Sequence, residues 1–244
     1  PSSAESFTEC GMKWFLEKSG GTDGDSIAQV LGSAIHAFAA LMVQEEGITE
    51  AVLVEKLKKS WNLIDPQEGW VSKTSQEKAI AMITRFMKYH MKHEREVVGV
   101  ELGFDVTVGK ARIRGTVDRL EVDSAGNLFV IDFKTSKTPI SYEKAEQNLQ
   151  LKSYQIAVAE GGFTAQHAST TSSGAALVYL GHDVQKISSR EQGVIDLEEA
   201  RAEIENIAQS MGAAQFVAAT NSRCKECPVK SSCPIKAEGR TVIE

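Results

Sequence analysis

The sequence lacks the features that mark several classes of protein. No apolar run approaches the roughly 18 residues that a membrane span needs. It contains no G-x-x-x-x-G-K-[ST] phosphate loop, so these residues include no ATP motor of that type. With only four cysteines in 244 residues, a disulfide scaffold is disfavoured, and we expect a reducing compartment and a cytoplasmic location.

The overall charge is moderately negative. The formal net charge is −6, with 25% charged and 42% hydrophobic residues, which is ordinary for a soluble globular protein. This charge argues against a protein that coats nucleic acid by electrostatics alone. It does not exclude a nucleic-acid enzyme, because metal-binding carboxylates count as negative. The sequence starts with Pro1 rather than Met, and we expect it to be a piece of a longer chain.

Apolar periodicity predicts helices first and a sheet later. Helical spacing indicates a mainly helical part over residues 1–97. Strict alternation over 98–109 predicts a half-buried strand that opens a catalytic sheet core over 98–190, and a last helix and a cysteine cluster occupy 191–244. We predict a single α/β domain over 1–244, with a mixed central sheet flanked by helices. The individual helices are predicted at about 5–18, 26–45, 50–62, 74–96, 143–160 and 197–218.

Two acidic residues occupy matched positions of a predicted hairpin. Asp118 and Asp132 are equally distant from Ala125 in the turn, so antiparallel pairing places them opposite each other. Carboxylates at so short a distance repel each other unless a cation lies between them or one of them is protonated. Lys134 points to the same face as Asp132. Solvated charges on a surface hairpin are the alternative, but Asp132 follows four apolar residues, where strands normally exclude Asp. The pattern indicates metal-assisted hydrolysis.

Five short patterns follow one another along the chain. They are Gly32 with His36, Glu101 on the alternating strand, Gly115-x-x-Asp118-Arg119, Asp132-Phe133-Lys134-Thr135, and Gln150-Leu151-x-x-Tyr154. Their order and spacing resemble the RecB-type branch of the PD-(D/E)XK nuclease superfamily, although Val117 rather than Pro precedes Asp118. The resemblance implies a restriction-endonuclease-like fold and hydrolysis of DNA phosphodiester bonds.

The resemblance also implies a set of metal ligands. Asp118 and Asp132 would supply carboxylate oxygens, and the backbone carbonyl of Phe133 a further oxygen. His36 would complete or flank the shell. Oxygen ligands suit Mg²⁺, and an imidazole makes Mn²⁺ plausible as well. Without the resemblance, a His on an apolar helix face is more often a packed core residue.

Four further residues receive catalytic roles from the same resemblance. Lys134 would position the attacking water and stabilise developing negative charge. Glu101 would orient a metal-bound water, with a plain solvent-exposed position as the alternative. Gln150 and Tyr154 lie four apart, so they share a helix face and would line the site. For this pair, packing of the helix against the sheet is the alternative.

Three of the four cysteines crowd near the end of the chain. Cys224-x2-Cys227-Pro-x4-Cys233-Pro supplies three thiolates, whereas metals that favour thiolates usually take four. The segment around Cys10 resembles the one that bears the first cluster cysteine of iron–sulfur RecB-like nucleases, with Gly11 where Pro is frequent. The resemblance implies a [4Fe–4S] cluster on all four cysteines. Zinc on the same ligands is the alternative.

A row of basic residues offers candidate contacts to DNA. Arg85, Lys88, Lys92 and Arg95 recur at spacings of three and four, so we expect them to share one helix face. Arg119, beside Asp118, is a fifth candidate. A solvated helix face is the commoner meaning of such a row.

The resemblance extends to the biological setting. The chain looks most like the C-terminal nuclease domains of helicase–nuclease subunits of the AddB and AdnB type, which implies single-stranded DNA as substrate and a role in double-strand-break end processing. Helicase motor domains or a partner helicase–nuclease subunit would then be its partners. A standalone iron–sulfur exonuclease of the CRISPR-associated RecB-like type is one alternative. A non-catalytic DNA-binding module is another, disfavoured because Asp118, Asp132 and Lys134 are all present.

Overall fold

The computed structural model describes residues 2–20, 27–45, 47–92, 94–182, 187–213 and 215–236, which form five strands and eight α-helices. In chain order these are α1 (Ser2–Glu9), α2 (Gly11–Gly20), α3 (Ile27–Gln44), α4 (Glu50–Ile64), α5 (Trp70–Lys92), β1 (Glu96–Val108), β2 (Ala111–Val122), β3 (Leu128–Lys134), α6 (Tyr142–Glu146), α7 (Leu149–Ala159), β4 (Ser172–Tyr179), β5 (Ser188–Gln192) and α8 (Leu197–Gly212). Two short 3-10 helices follow, at Cys224–Glu226 and Lys230–Ser232. Within the described ranges, no helix is long and apolar enough to cross a membrane.

The five strands form one mixed sheet in the order β1-β2-β3-β4-β5. All neighbouring strands are antiparallel except β3 and β4, which are parallel. A parallel pair needs a crossover connection, and α6 and α7 supply it. The predicted α/β class, with a mixed central sheet flanked by helices and a helical N-terminal part, is confirmed.

Helices cover both faces of the sheet. On one face α7 and α8 pack over strand residues such as Leu120 and Val130, and on the other α3, α4 and α5 pack over Phe129 and Ile131. Because successive strand residues point to opposite faces, a strand covered on both sides is apolar throughout. This accounts for the unbroken apolar run of β3 and leaves Asp132 buried within it.

The predicted turn between β2 and β3 is confirmed. Oδ1 of Asp123 accepts hydrogen bonds from the N–H groups of Ala125 and Asn127, both at 2.9 Å. Gly126 has a φ of 82°, a conformation that favours glycine. Beyond the turn, the strand register pairs Arg119 with Ile131. Continued by one residue, that register sets position 118 opposite position 132.

The β1–β2 hairpin extends well beyond β3. β1 pairs with β2 along its whole length to Ala111, whereas β3 pairs with β2 only from Arg119 to Val122. Residues 111–117 of β2 therefore have a second edge that none of the strands the structure describes covers. Asp118 lies at the point where the sheet opens.

Two segments predicted as single helices are each divided. The first helical segment breaks at Cys10 into α1 and α2, and the segment over 143–160 breaks at Asn148 into α6 and α7. The Asn148 side chain accepts a hydrogen bond of 2.9 Å from the N–H of Leu151, so it acts as the N-cap of α7. The polar strand β5 was not predicted, because its sequence has no apolar alternation and only its pairing with β4 defines it.

The first helices and the C-terminal segment meet. The N–H of Met12 donates to the carbonyl of Val217 at 3.2 Å, and the ring of Phe15 stacks on Phe216 with centroids 4.4 Å apart. These contacts bring residues from opposite ends of the chain into one neighbourhood, and they bear on the cysteines described below.

Candidate active site

Asp118 and Asp132 lie close together where β2 and β3 separate. Both line one cavity, together with Gln150 and Tyr154 of α7. The backbone N–H of Phe133 donates a hydrogen bond of 2.5 Å to Oδ2 of Asp118, so the carboxylate of β2 reaches the backbone of β3 beside Asp132. The structure thus brings the two acidic side chains together, as the hairpin register predicts.

Asp132 is buried and held by three side chains. Gln150 Nε2 donates to its Oδ1 at 2.7 Å and the Tyr154 hydroxyl at 2.9 Å. Lys134 Nζ lies 2.7 Å from its Oδ2 and also donates to Gln150 Oε1 at 2.8 Å. A charged group taken out of water needs this degree of pairing and hydrogen bonding. The predicted residues Lys134, Gln150 and Tyr154 therefore form one network around Asp132.

A second group of potential ligands surrounds Asp118. Nδ1 of His36 on α3 lies 3.2 Å from Oδ1 of Asp118. One ligand atom from each of His36, Glu101 and Asp118 falls within 4.8 Å of the others, and no other such group occurs in the part of the chain that the structure describes. The geometry therefore admits Glu101 as a direct ligand as well as a residue that orients water.

Glu101 has an unusual backbone. Its φ is 49°, and it is the one non-glycine residue with positive φ within the described ranges. The flanking pairs Val100↔Arg119 and Leu102↔Val117 place it across from Asp118. A left-handed conformation costs a side-chain-bearing residue about 1–3 kcal/mol, and such residues concentrate at functional sites. The left-handed residue of β1 thus lies at the acidic centre.

Comparison with known proteins identifies the family. A model of the PD-(D/E)XK nuclease superfamily matches residues 1–234. The chain belongs to this superfamily. No curated protein matches it significantly. Among solved structures it is similar to SSO0001, at 19% identity over 85% of this chain and 95% of that one, with a TM-score of 0.34. It is also similar to VC1899 from Vibrio cholerae, at 11% identity over 88% and 58% of the two chains, with a TM-score of 0.25. At these scores neither structure adds to the assignment.

The group formed by Asp118, Asp132 and Glu101 carries an excess of negative charge. Burial raises the pKa of the Asp132 carboxyl, and the charge of Lys134 offsets this only in part. Burial and the negative charge of Asp118 raise the pKa of Glu101. Burial by itself lowers the pKa of His36, but the hydrogen bond to Asp118 and its charge outweigh burial, so this pKa is raised. Bound protons and a bound cation would relieve the same repulsion.

The donor set fits the divalent metal that PD-(D/E)XK nucleases use. Two carboxylates and one imidazole within 4.8 Å suit a hard cation, Mg²⁺ or Mn²⁺. Asp132 is next to this group but has both oxygens engaged by α7 and Lys134. The Phe133 side chain packs on the opposite face of the sheet, 2% exposed, with only its backbone near the site.

Two of the predicted DNA contacts, Arg119 and Arg95, lie outside α5 and are engaged in contacts within the fold. Arg119 is fully buried, with Nε 2.7 Å from Oε1 of Glu121, so a DNA backbone does not reach it. Arg95 lies beyond the end of α5, and its guanidinium covers the ring of Phe129 at 3.8 Å. The helix ends at Lys92, so the four basic residues do not form a single helical row.

The other three basic residues are on α5. Nη1 of Arg85 donates to the carbonyl of Leu180 at 2.7 Å, so this side chain is partly engaged in the fold. Lys88 and Lys92 are exposed. Helix α5 covers the face of the sheet opposite α7, and none of these residues lines the cavity that contains Asp118 and Asp132.

The four cysteines line one cavity between the two ends of the chain. This cavity has a volume of about 140 Å³, and Cys10, Cys224, Cys227 and Cys233 all contribute to its wall. Each cysteine is a free thiol. The side-chain amide of Asn221 donates to the carbonyl of Glu9 at 3.2 Å, which ties the segment before Cys224 to the residue before Cys10.

One residue near the site carries no signal in the sequence. Glu5 of α1 accepts a hydrogen bond of 3.1 Å from Nδ2 of Asn148, the N-cap of α7. Burial raises the pKa of Glu5, and the nearby charge of Lys134 opposes that rise. Because 143 residues separate Glu5 from Asn148, only the tertiary fold brings this fourth carboxylate toward the centre.

Proposed function

We propose that this chain is a metal-dependent deoxyribonuclease that hydrolyses phosphodiester bonds at the centre formed by Asp118, Asp132 and Lys134. The observation that carries the proposal is their convergence. Lys134 Nζ lies 2.7 Å from Asp132 Oδ2. The backbone N–H of Phe133, which separates Asp132 from Lys134 in the sequence, donates a hydrogen bond to Asp118. Membership of a nuclease superfamily supports the reaction class.

The metal would be held by residues from three elements. His36 of α3, Asp118 of β2 and Asp132 of β3 would bind Mg²⁺ or Mn²⁺, with the Phe133 carbonyl as a further ligand and Glu101 beside them. When bound, such an ion lowers the pKa of a coordinated water and neutralises charge on the scissile phosphate. The grouping of His36, Glu101 and Asp118, with ligand atoms within 4.8 Å of one another, supports the His36 and Asp118 part of this assignment.

The remaining groups would position the attacking water and the Asp132 carboxylate and stabilise negative charge on the phosphate. The Lys134 ammonium would hold the attacking water and offset negative charge that develops on the phosphate oxygens. Gln150 and Tyr154 would keep the Asp132 carboxylate in one orientation through their hydrogen bonds to Oδ1. Their placement on α7, within the core, supports a rigid site rather than one assembled by a loop.

The test is cleavage of labelled single-stranded DNA in Mg²⁺ or Mn²⁺ by the wild type and by Asp132→Ala and Lys134→Ala. We expect both variants to lose at least about a hundredfold in rate, since metal and electrostatic stabilisation each contribute several kcal/mol. Matched controls are Glu143→Gln and Lys137→Met, which alter exposed charges away from the cavity. Equal cleavage by the wild type and all variants would identify a contaminant and defeat the proposal.

We further propose that the four cysteines hold a [4Fe–4S] cluster. The shared cavity of about 140 Å³ supports a group larger than one ion. The cluster would join the two chain ends and add to stability, because metal binding is coupled to folding.

The cluster proposal is tested by iron, sulfide and zinc analysis of anaerobically purified protein, with a visible absorption spectrum. We expect iron and sulfide in equal amounts and a brown colour, lost in Cys10→Ser and Cys227→Ser. We also expect these variants to unfold at least about 5 °C lower, since each kcal/mol corresponds to about 2–4 °C in a domain of this size. Zinc without iron would overturn the cluster.

The sequence resemblance supports a setting in a helicase–nuclease that processes DNA double-strand ends. Single-stranded DNA would be delivered by motor domains or by a partner helicase–nuclease subunit. The standalone exonuclease is distinguished by processive degradation of long single strands by this chain alone. The helicase–nuclease hypothesis is favoured if the chain alone cleaves single strands slowly and releases only short products. Addition of a helicase on duplex DNA should then accelerate cleavage.

A further inference from the structure

A cleft extends from the acidic centre along the uncovered edge of β2. It encloses about 670 Å³, and its wall includes Asp118 and Asp132 together with residues 111–116 of β2. The first residues of α1, Lys18 of α2 and apolar residues of α8 complete the lining. The cleft is therefore continuous with the proposed hydrolytic centre.

The β2 edge presents backbone groups to this cleft. Residues 111–117 pair with β1 on one side only, and no strand within the described ranges pairs with the other side. An uncovered strand edge carries a row of N–H and C=O groups without ladder partners. Backbone N–H groups are common donors to phosphate oxygens in nucleic-acid complexes.

Cationic side chains accompany this edge. Arg112 is bound to Asp105 by hydrogen bonds of 2.7 and 2.5 Å. Arg114 and Lys18 are exposed, line the cleft and form no hydrogen bond or ion pair through their side chains with any residue in the described part of the chain. Arg114 precedes Asp118 by four residues, which corresponds to about 13 Å along a strand.

The opposite wall, formed by α8, is apolar. Ile207 and Met211 of α8 are half-buried and line the cleft. In a duplex the bases are stacked inside, so such side chains have little to bury. In a single strand the bases are free to pack on apolar or aromatic surfaces while cations follow the backbone. The combination of one basic and one apolar wall therefore matches a single strand.

We propose that the β2-edge cleft binds a single strand of nucleic acid, with backbone phosphates at Arg114 and Lys18 and bases against Ile207 and Met211. The proposal rests on the proposed function, because the strand would lead into the same hydrolytic centre. It replaces the basic residues of α5, which lie on the other face of the sheet, as the principal DNA contacts.

The test measures binding apart from hydrolysis. Fluorescence anisotropy with a labelled single-stranded oligonucleotide, in metal-free buffer, compares the wild type with the double variant Arg114→Gln/Lys18→Gln. We expect Kd to rise at least about tenfold at low salt. The slope of log Kd against log salt is expected to decrease by about 0.7 for each phosphate contact removed. The matched control is Lys88→Gln/Lys92→Gln, which removes the same charge from α5, and we expect it to bind nearly as the wild type does.

Three results would contradict the proposal that the β2-edge cleft binds a single strand. They are unchanged binding by Arg114→Gln/Lys18→Gln, an equal loss in the α5 control, or a duplex of the same length bound as tightly as the single strand by the wild type. Circular dichroism and matched melting temperatures establish that the variants are folded.

The outcomes separate the two proposals. If cleavage depends on Asp132 but the double variant binds DNA as the wild type does, only the cleft proposal is contradicted. If the double variant binds more weakly but the wild type does not cleave DNA, only the proposed nuclease function is contradicted.

Discussion

The N–H of Phe133 donates a hydrogen bond of 2.5 Å to Oδ2 of Asp118. This bond continues the contact between β2 and β3 one step beyond the last ladder pair, Arg119↔Ile131. It orients the carboxylate so that Oδ1 faces His36, at 3.2 Å. One oxygen of Asp118 therefore contacts the sheet, and the other faces His36, where we propose that the metal binds.

The first prediction concerns this division of roles. Asp118→Asn keeps an oxygen that can accept the Phe133 N–H but removes the negative charge. We expect Mn²⁺ binding, measured by titration calorimetry, to weaken at least about tenfold, equivalent to about 1.4 kcal/mol, while the melting temperature of the metal-free protein changes little. Chelation by EDTA is expected to abolish cleavage by the wild type, and added Mn²⁺ to restore it. Metal affinity unchanged in Asp118→Asn would place the ion elsewhere.

The second prediction concerns Tyr154. Tyr154→Phe removes one of two donors to Asp132 Oδ1 and leaves the ring in the core, while Gln150 still donates. A hydrogen bond to a charged group contributes about 1.5–3 kcal/mol. We expect the cleavage rate to fall about ten- to a hundredfold, with the fold retained. The control Tyr142→Phe alters an exposed hydroxyl on α6. Full activity in Tyr154→Phe would assign Tyr154 to packing alone.

The third prediction concerns pH and Glu5. Burial raises the pKa of Glu5 in the folded protein, with Lys134 opposing the rise. Such a group contributes stability that is fully present below the unfolded pKa of about 4.3 and is lost as pH rises through the folded pKa. Glu5→Gln removes this contribution and keeps an acceptor for Asn148. We therefore expect the melting temperature of the metal-free variant, relative to the wild type, to increase as pH rises from about 4 toward 7.

The control for Glu5 is Glu143→Gln, on the exposed surface of α6. Its melting curve against pH is expected to run parallel to that of the wild type. If Glu5→Gln also runs parallel, the Glu5 carboxyl is not held in a buried position near Lys134, and the contact between α1 and α7 differs from the one described.

The fourth prediction concerns Gly181, which supports the end of β3. The N–H groups of Leu180 and Gly181 both donate to the carbonyl of Lys134, at 2.8 and 3.3 Å. A Cβ at Gly181 would overlap the carbonyl oxygen of Thr135. We expect Gly181→Ala to destabilise the fold by about 1–3 kcal/mol and to lower activity, because the backbone that carries Lys134 must shift.

The comparison for Gly181 is Gly193→Ala, where an added Cβ meets nothing within 4 Å. Its free energy of unfolding is expected to stay within about 0.5 kcal/mol of the wild type. Chemical denaturation of both variants measures the difference. Equal stabilities would mean that the backbone near Thr135 yields more readily than its packing suggests.

Much of the proposed hydrolytic centre was readable from the sequence, because its cues are local. The alternation over 98–109 predicted β1, and the equal distances of Asp118 and Asp132 from the turn predicted their opposition. Spacing by two and by four predicted that Lys134, Gln150 and Tyr154 could face the same site. The ion pair of Lys134 with Asp132 and the hydrogen bonds of Gln150 and Tyr154 to Asp132 agree with that reasoning.

Other features depended on contacts between distant segments, which local periodicity does not encode. The basic spacing near Arg95 suggested a helix face, but α5 ends at Lys92 and Arg119 is buried against Glu121. The approach of Glu5 to α7 and the meeting of Cys10 with Cys224 involve residues far apart in sequence.

The sequence by itself therefore determined strands β1 to β3, the turn between β2 and β3 and the order of the acidic and basic residues, since strand period and turn chemistry act over a few neighbouring positions. Only the tertiary structure decided where β3 stops covering β2 and which cations line the resulting cleft. The physical reason is that strand lengths and helix positions depend on how elements that are distant in sequence pack against one another.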